Sequence, residues 1–99
     1  MEMNDEIEIV YNLKLYVTGI SPNSVLAINN LTAICDLHLK DRYRLEIIDV
    51  YQQPSVAKKE QIIAIPLLIK LSPLPPKRLI GNMSDTQKVL FALELTDTV

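Results

Sequence analysis

Residues 9–17, Ile-Val-Tyr-Asn-Leu-Lys-Leu-Tyr-Val, are β-branched, aromatic and aliphatic, with Lys14 set between Leu13 and Leu15, and the run stops at Gly19. That pattern predicts a first strand. Ser21 followed by Pro22 offers an N-cap and a residue whose fixed φ suits the first helical position. Beyond it Ala27, Ile28, Leu31, Ile34 and Cys35 recur at three- and four-residue intervals. They form one face of a helix that runs to His38 or Leu39 and packs against a sheet. Residues 43–50, Tyr-Arg-Leu-Glu-Ile-Ile-Asp-Val, alternate at first and then become apolar, as expected of an inner strand in a largely parallel sheet. A helix of this length can make the right-handed crossover between two parallel strands, so the chain is expected to open as βαβ.

The carboxyl half is less decided. Residues 54–61, Pro-Ser-Val-Ala-Lys-Lys-Glu-Gln, begin with proline and continue with helix formers, which predicts a short helix of about two turns. Ile62 to Leu71 is apolar but split by Pro66, and Pro73, Pro75 and Pro76 follow, so two short strands around a turn are the simplest reading. Ser84 and Gln87 have the spacing of a capping box, which predicts a terminal helix from about residue 85 to about 95. Phe91-Ala92-Leu93-Glu94-Leu95 also alternates as a strand does, and the sequence supports both.

At 99 residues, 48% of them hydrophobic and 22% charged, the chain reads as one globular domain over residues 1–99, with residues 1–8 expected to be disordered. The size leaves a modest stability margin and room for oligomerisation. Ten basic against twelve acidic residues give a net charge of -2, no drive toward nucleic acid. Cys35 is the lone cysteine, and the opening Met-Glu-Met-Asn-Asp-Glu lacks the pattern of a secretory signal, so a cytoplasmic location is expected. The longest apolar candidate for a membrane span, Ile62 to Leu71, is interrupted by Pro66 and Lys70, so no membrane partner is expected.

Candidate chemistry is sparse. Cys35 and His38 lie three apart, but two ligands make a poor metal site, and one histidine far from any nucleophile motif gives no triad. Gly19 and Gly81 are the only glycines, so no phosphate-cradling loop and no cofactor is expected. Asp49, at a strand end, is either a functional acid of an open α/β sheet or a solvated or hydrogen-bonded strand-end acid. The strand, the Gly-Ile-Ser-Pro-Asn-Ser stretch at a helix start and the later Ile65-Pro66 resemble the layout of thioredoxin folds. Ser21-Pro22-Asn23-Ser24 stands where a redox member carries Cys-x-x-Cys, and hydroxyls cannot do thiolate exchange, so both serines read as helix caps.

Leu13-Lys-Leu-Tyr-Val17, Gly19, Ser21-Pro-Asn-Ser-Val25, Ile48-Asp-Val50, Pro54, Ala64-Ile-Pro66, Leu74-Pro-Pro-Lys-Arg-Leu-Ile-Gly81 and Ser84-Asp85 through Lys88-Val-Leu90 resemble the circadian clock KaiB family over residues 9–95. The resemblance implies a thioredoxin-like βαβαββα sheet with flanking helices. It also implies a carboxyl half able to switch to an alternative ground-state fold that self-assembles as a homo-dimer or homo-tetramer. The implied function is non-enzymatic: binding and modulating a KaiC-type ring ATPase in rhythm or stress-adaptation signalling. The alternative is a thioredoxin-like redox or oxidative-stress protein, which requires Cys35 to react.

Carried over residue by residue, the resemblance puts the partner-facing surface on Gln53, Pro54, Lys58, Lys59, Glu60 and Ala64, with Lys70 and Lys77 nearby. The family pattern is acidic where this chain has Ala57-Lys58-Lys59-Glu60, and Leu26 stands in place of an arginine. Such charge reversal alters partner choice more than fold, and it weighs against pairing with KaiA. The segment expected to differ between the two folds holds Pro66, Pro73, Pro75 and Pro76. Phe91-Ala92-Leu93-Glu94 stands where the family often has Ile-Gly-Leu-Asp. Ala92 for glycine favours helix by about 0.8–1.0 kcal/mol and Glu94 for aspartate adds a few tenths, so the helical, thioredoxin-like form is expected to gain.

Overall fold

A computed structural model describes residues 9–62 and 64–95. The expected disorder of residues 1–8 concerns positions outside the described residues. In chain order the elements are β1 (Tyr11–Val17), α1 (Pro22–His38), β2 (Tyr43–Asp49), α2 (Pro54–Lys59), β3 (Leu67–Ser72), β4 (Lys77–Ile80) and α3 (Thr86–Ala92). The order βαβαββα is the expected one. The four strands form one sheet in the order β2-β1-β3-β4. β1 runs parallel to β2, from Tyr11 opposite Tyr43 to Val17 opposite Asp49. It runs antiparallel to β3, and β3 is antiparallel to β4.

One strand departs from expectation. β2 is an edge strand, not an inner one, and only its pairing with β1 is parallel. The α1 crossover sets β2 on one side of β1, and β3 takes the other side in the opposite direction. Ile47, in the apolar run that suggested burial, is accordingly exposed.

Alternation along β1 divides the core. Leu13, Leu15 and Val17 join Ala27, Leu31, Ile34 and Cys35 of α1, Leu68 of β3 and Val89 and Leu93 at α3. On the other face Tyr16 packs with Ile48, Val50, Leu67 and Ile69, and α2 covers this group with Val56 and Ala57. The sheet is thus the middle layer, with α1 and α3 on one side and α2 on the other.

The helix ends follow local rules, with two departures from the sequence reading. Ser21 caps α1, its side chain accepting the Ser24 N–H, with Pro22 in the first turn. α3 is capped by Asp85, not Ser84: the Asp85 carboxylate accepts the Lys88 N–H at 3.2 Å. Ser84 is otherwise engaged, its own N–H donated to Asn82 Oδ1 at 3.0 Å. α3 also stops at Ala92, three residues before the expected end, with Glu94 in the left-handed region at φ 60. The Leu95 N–H returns to the Leu90 carbonyl and the Glu94 N–H to that of Phe91, a Schellman closure. Glu94 therefore lies outside the helix, and its helix propensity does not bear on α3 as expected. α2 closes in the same way, with Gln61 at φ 59, its N–H on the Lys58 carbonyl and that of Ile62 on the Ala57 carbonyl.

Candidate partner-binding site

The ends of β1 and β2 lie side by side, and the loops leaving them are joined by one carboxylate. Asp49 Oδ1 accepts the Gly19 N–H at 3.1 Å and the Tyr51 N–H at 2.9 Å. Of the two readings of Asp49, the hydrogen-bonded strand-end acid is the one observed. Gly19 has φ 54, which only glycine adopts without strain, and the Tyr51 ring lies beside it. Ile20 and Tyr51 are 90% and 77% exposed, so this end of the sheet presents apolar side chains that the sequence reading did not single out. Their sequence signal was position: each lies in the turn that follows a strand.

Behind that end sits the serine pair. The buried Ser24 Oγ receives the Thr18 N–H at 3.0 Å and the Ser21 hydroxyl at 2.8 Å. Ser21 plays the capping role expected of both serines; Ser24 does not cap, and its hydroxyl instead holds the start of α1 against the end of β1. Cys35 is buried on the inner face of α1. Burial, with the charge of Asp36 beside it, pushes the thiol up to about 12. A thiol held neutral across the physiological range is a poor nucleophile. Among the described residues no group of three or more His, Cys, Asp or Glu is placed to hold a metal ion.

α2 carries most of the residues expected to face a partner. Gln53, Pro54, Lys58 and Lys59 are exposed, and Glu60 and Ala64 are half-buried at its carboxyl side. Glu60 also offers its carbonyl to Arg78 Nη2 at 3.3 Å, tying the end of α2 to β4.

The two remaining lysines are not like these. Lys70 is fully buried, its Nζ donating to Glu94 Oε1 at 3.2 Å, so it is corrected from a surface contact to an internal ion pair. Lys70 on β3 stands opposite Lys77 on β4. Like charges directly opposed across strands repel. Here the end of α3 separates their roles: Glu94 takes Lys70, and Lys77 is half-buried with its Nζ 5.7 Å from the Phe91 ring centre.

The arrangement is a thioredoxin-type frame whose thiol corner is rebuilt with serines and whose exposed helix carries charge. The sequence pattern described as the KaiB domain matches residues 14–95. The chain belongs to the KaiB family. Among relatives, a circadian clock oscillator protein KaiB of Prochlorococcus marinus is 47% identical over 85 residues, covering 86% of this chain and 81% of that one. The circadian clock protein KaiB3 of Synechocystis is 49% identical over 83 residues, covering 84% and 81%. Among solved structures, the N-terminal domain of Synechococcus elongatus SasA superposes with a TM-score of 0.70 at 18% identity, covering 100% of this chain and 97% of that one. Chloroplastic thioredoxin z gives 0.69 at 14% identity, covering 88% and 80%. At these identities the structural neighbours speak for the fold alone: this KaiB family member is thioredoxin-like. No helix among its described residues is long and apolar enough to cross a membrane.

Proposed function

We propose that this chain is a non-catalytic clock-type regulator that acts in the cytoplasm by capturing a KaiC-type ring ATPase, in rhythm or stress-adaptation signalling. The capturing surface is α2 with its flanks: Gln53, Pro54, Lys58, Lys59, Glu60 and Ala64; Lys77 lies on the α3 side of the sheet and stands apart from it. The observation that carries this reading is the exposure of Lys58 and Lys59 on the one helix that covers its face of the sheet alone. Neither lysine forms an ion pair among the described residues, so both are available to an acidic surface on the ring. Membership of the KaiB family supports the class of partner. The basic character of α2 argues for a ring with a matching acidic face and against KaiA as a second partner.

The test is capture of a purified KaiC-type ring ATPase. Replacing Lys58 and Lys59 together by Glu is expected to weaken capture and to reduce its salt dependence. Binding unchanged at low and high salt rejects the assignment.

The second part of the proposal is an exchange with a self-assembled dimer or tetramer in which the segment from Pro66 through Pro73, Pro75 and Pro76 to Ala92 is rebuilt. Ala92 is the last residue of α3, where alanine favours the helical form over glycine. Sedimentation of the parent beside Ala92→Gly tests it, and a glycine variant no more oligomeric than the parent overturns it. The competing redox reading has no observation in its favour, since Cys35 is buried. Disulfide reductase activity that disappears in Cys35→Ser would restore it.

A further inference from the structure

β4 ends the sheet, and beyond it lies no other strand among the described residues. Its four residues, Lys77-Arg78-Leu79-Ile80, alternate across the edge. Leu79 packs toward the core beneath α1 and α3, with Lys77 on the same face over Phe91. Arg78 reaches the other way, to the end of α2, and Ile80 shares its face. Two large apolar side chains therefore flank the same edge on opposite faces. Phe91 is 65% exposed on the α3 side and Ile80 is 62% exposed on the α2 side. Between β4 and α3 runs an open groove of about 330 Å³ lined by Lys77, Arg78, Leu79, Lys88, Phe91 and Ala92, with Asp85 and Gln87 at its margin.

A docked helix would cover one face of that edge and leave the other bare. An added strand covers both, because its side chains alternate with the same period. We infer that the free edge of β4 and the groove beside α3 receive an extended acidic segment of a partner protein by strand addition. Charge selects the occupant. Two cations, Lys77 and Lys88, line the groove against the single carboxylate of Asp85, and Arg78 adds a third on the opposite face of the edge. A second copy of this chain would bring the same excess of cations to the seam and be repelled. An acidic strand meets no such barrier. The alternation also sets the occupant's pattern: two neighbouring acids lie opposite Lys77 and Arg78, one on each face, and two neighbouring aliphatic residues lie opposite Leu79 and Ile80. The peptide backbone supplies the hydrogen bonds, the acids the register and the aliphatic pair the apolar contact with Phe91 and Ile80.

The probe is a fluorescein-labelled peptide, Ser-Glu-Glu-Val-Ile-Ser, titrated with the full chain and read by anisotropy and by amide chemical shifts. Saturable binding is expected, weakening about tenfold between low and moderate salt as the charges are screened. The shifts are expected to centre on Lys77 to Ile80 and on Phe91. A Lys-Lys-Val-Ile version, and one N-methylated along its backbone, are expected not to bind. Lys88→Glu and Phe91→Ser each change an exposed side chain, and each is expected to weaken binding at least fivefold while amide spectra show the fold retained. The inference fails if no binding occurs at millimolar peptide, if the N-methylated or basic peptide binds equally, or if the shifts fall on α2 instead. It also fails if sedimentation shows a dimer that Phe91→Ser dissolves while amide shifts show β4 and α3 still formed, since a second copy would then hold the edge. None of these outcomes depends on capture of a ring ATPase through α2.

Discussion

Lys70 and Glu94 meet at 3.2 Å, a fully buried ammonium on β3 against a carboxylate that is 41% exposed just beyond α3. The pair ties the last turn of the described chain to the centre of the sheet. It also holds Glu94 in a left-handed conformation that costs an L-residue about 1–2 kcal/mol.

Removing one partner leaves the other without compensation. Glu94→Gln strands a buried cation and is expected to lower stability by about 1–3 kcal/mol, less than a fully buried pair would lose because Glu94 is partly solvated. Lys70→Met is expected to cost less, since the acid it frees can turn to water. The double substitution should recover much of the loss seen in Glu94→Gln. Urea unfolding of the three variants and the parent checks this, and simple additivity would remove the coupling.

Asp49 supports two loops with one oxygen. Asp49→Ala leaves the Gly19 and Tyr51 N–H groups without their acceptor, at an expected cost of about 1–3 kcal/mol. Asp49→Asn keeps an oxygen acceptor and should be milder. Amide hydrogen exchange gives the sharper reading: in the alanine variant Gly19 and Tyr51 should both accelerate. Acceleration of only one would mean that the loops are held separately.

Tyr16 is fully buried between β1 and the α2 side of the sheet, and its hydroxyl has no hydrogen-bond partner among the described residues. Burial, with Glu60 and Glu46 adding to it, pushes the phenol up from its usual value. An unpaired buried hydroxyl is a net cost, so Tyr16→Phe should raise stability by about 1 kcal/mol. A destabilised Phe variant would show that the hydroxyl has a partner after all.

Cys35 makes the stability fall at alkaline pH. Its thiol titrates at 9.0 when solvated and at about 12 in the fold, so between those values the folded state binds more protons than the unfolded one. Unfolding free energy therefore falls as pH rises through that window, at up to about 1.4 kcal/mol per pH unit from this group. Tyr43, whose phenol is raised to about 12 chiefly by its hydrogen bond to Asp36, acts in the same direction. Cys35→Ala should flatten the decline between pH 9 and 11. At neutral pH the native thiol should resist a disulfide-exchange reagent until denaturant is added.

Elements built from neighbouring residues were legible in advance. β1 and α1 rest on an apolar run, a Ser-Pro cap and one helical stripe, all local; α1 keeps its expected bounds and β1 starts two residues later than expected, at Tyr11. The edge position of β2 was not legible, because an apolar strand looks the same whether its second neighbour is a strand or solvent. Lys70 shows the same limit at the site. Inside an apolar run it read as an interruption and then as a surface charge, and only a partner 24 residues further on explains its burial. The cap of α3 was ambiguous in sequence: Ser84 and Asp85 are both good capping residues, and it is the Asp85 carboxylate that accepts the Lys88 N–H. The exposed lysines of α2 were legible because a short charged helix has few ways to hide them.

The hydroxyl pair at the head of α1 has a consequence for how this molecule can carry information. A dithiol has two oxidation levels and registers the electron balance of its surroundings; two serines have one. With Cys35 packed between α1 and the sheet, this corner of the fold carries no dithiol that could be oxidised and reduced. A signal carried there by shape and by what is bound survives a swing in glutathione that would reset a true thioredoxin.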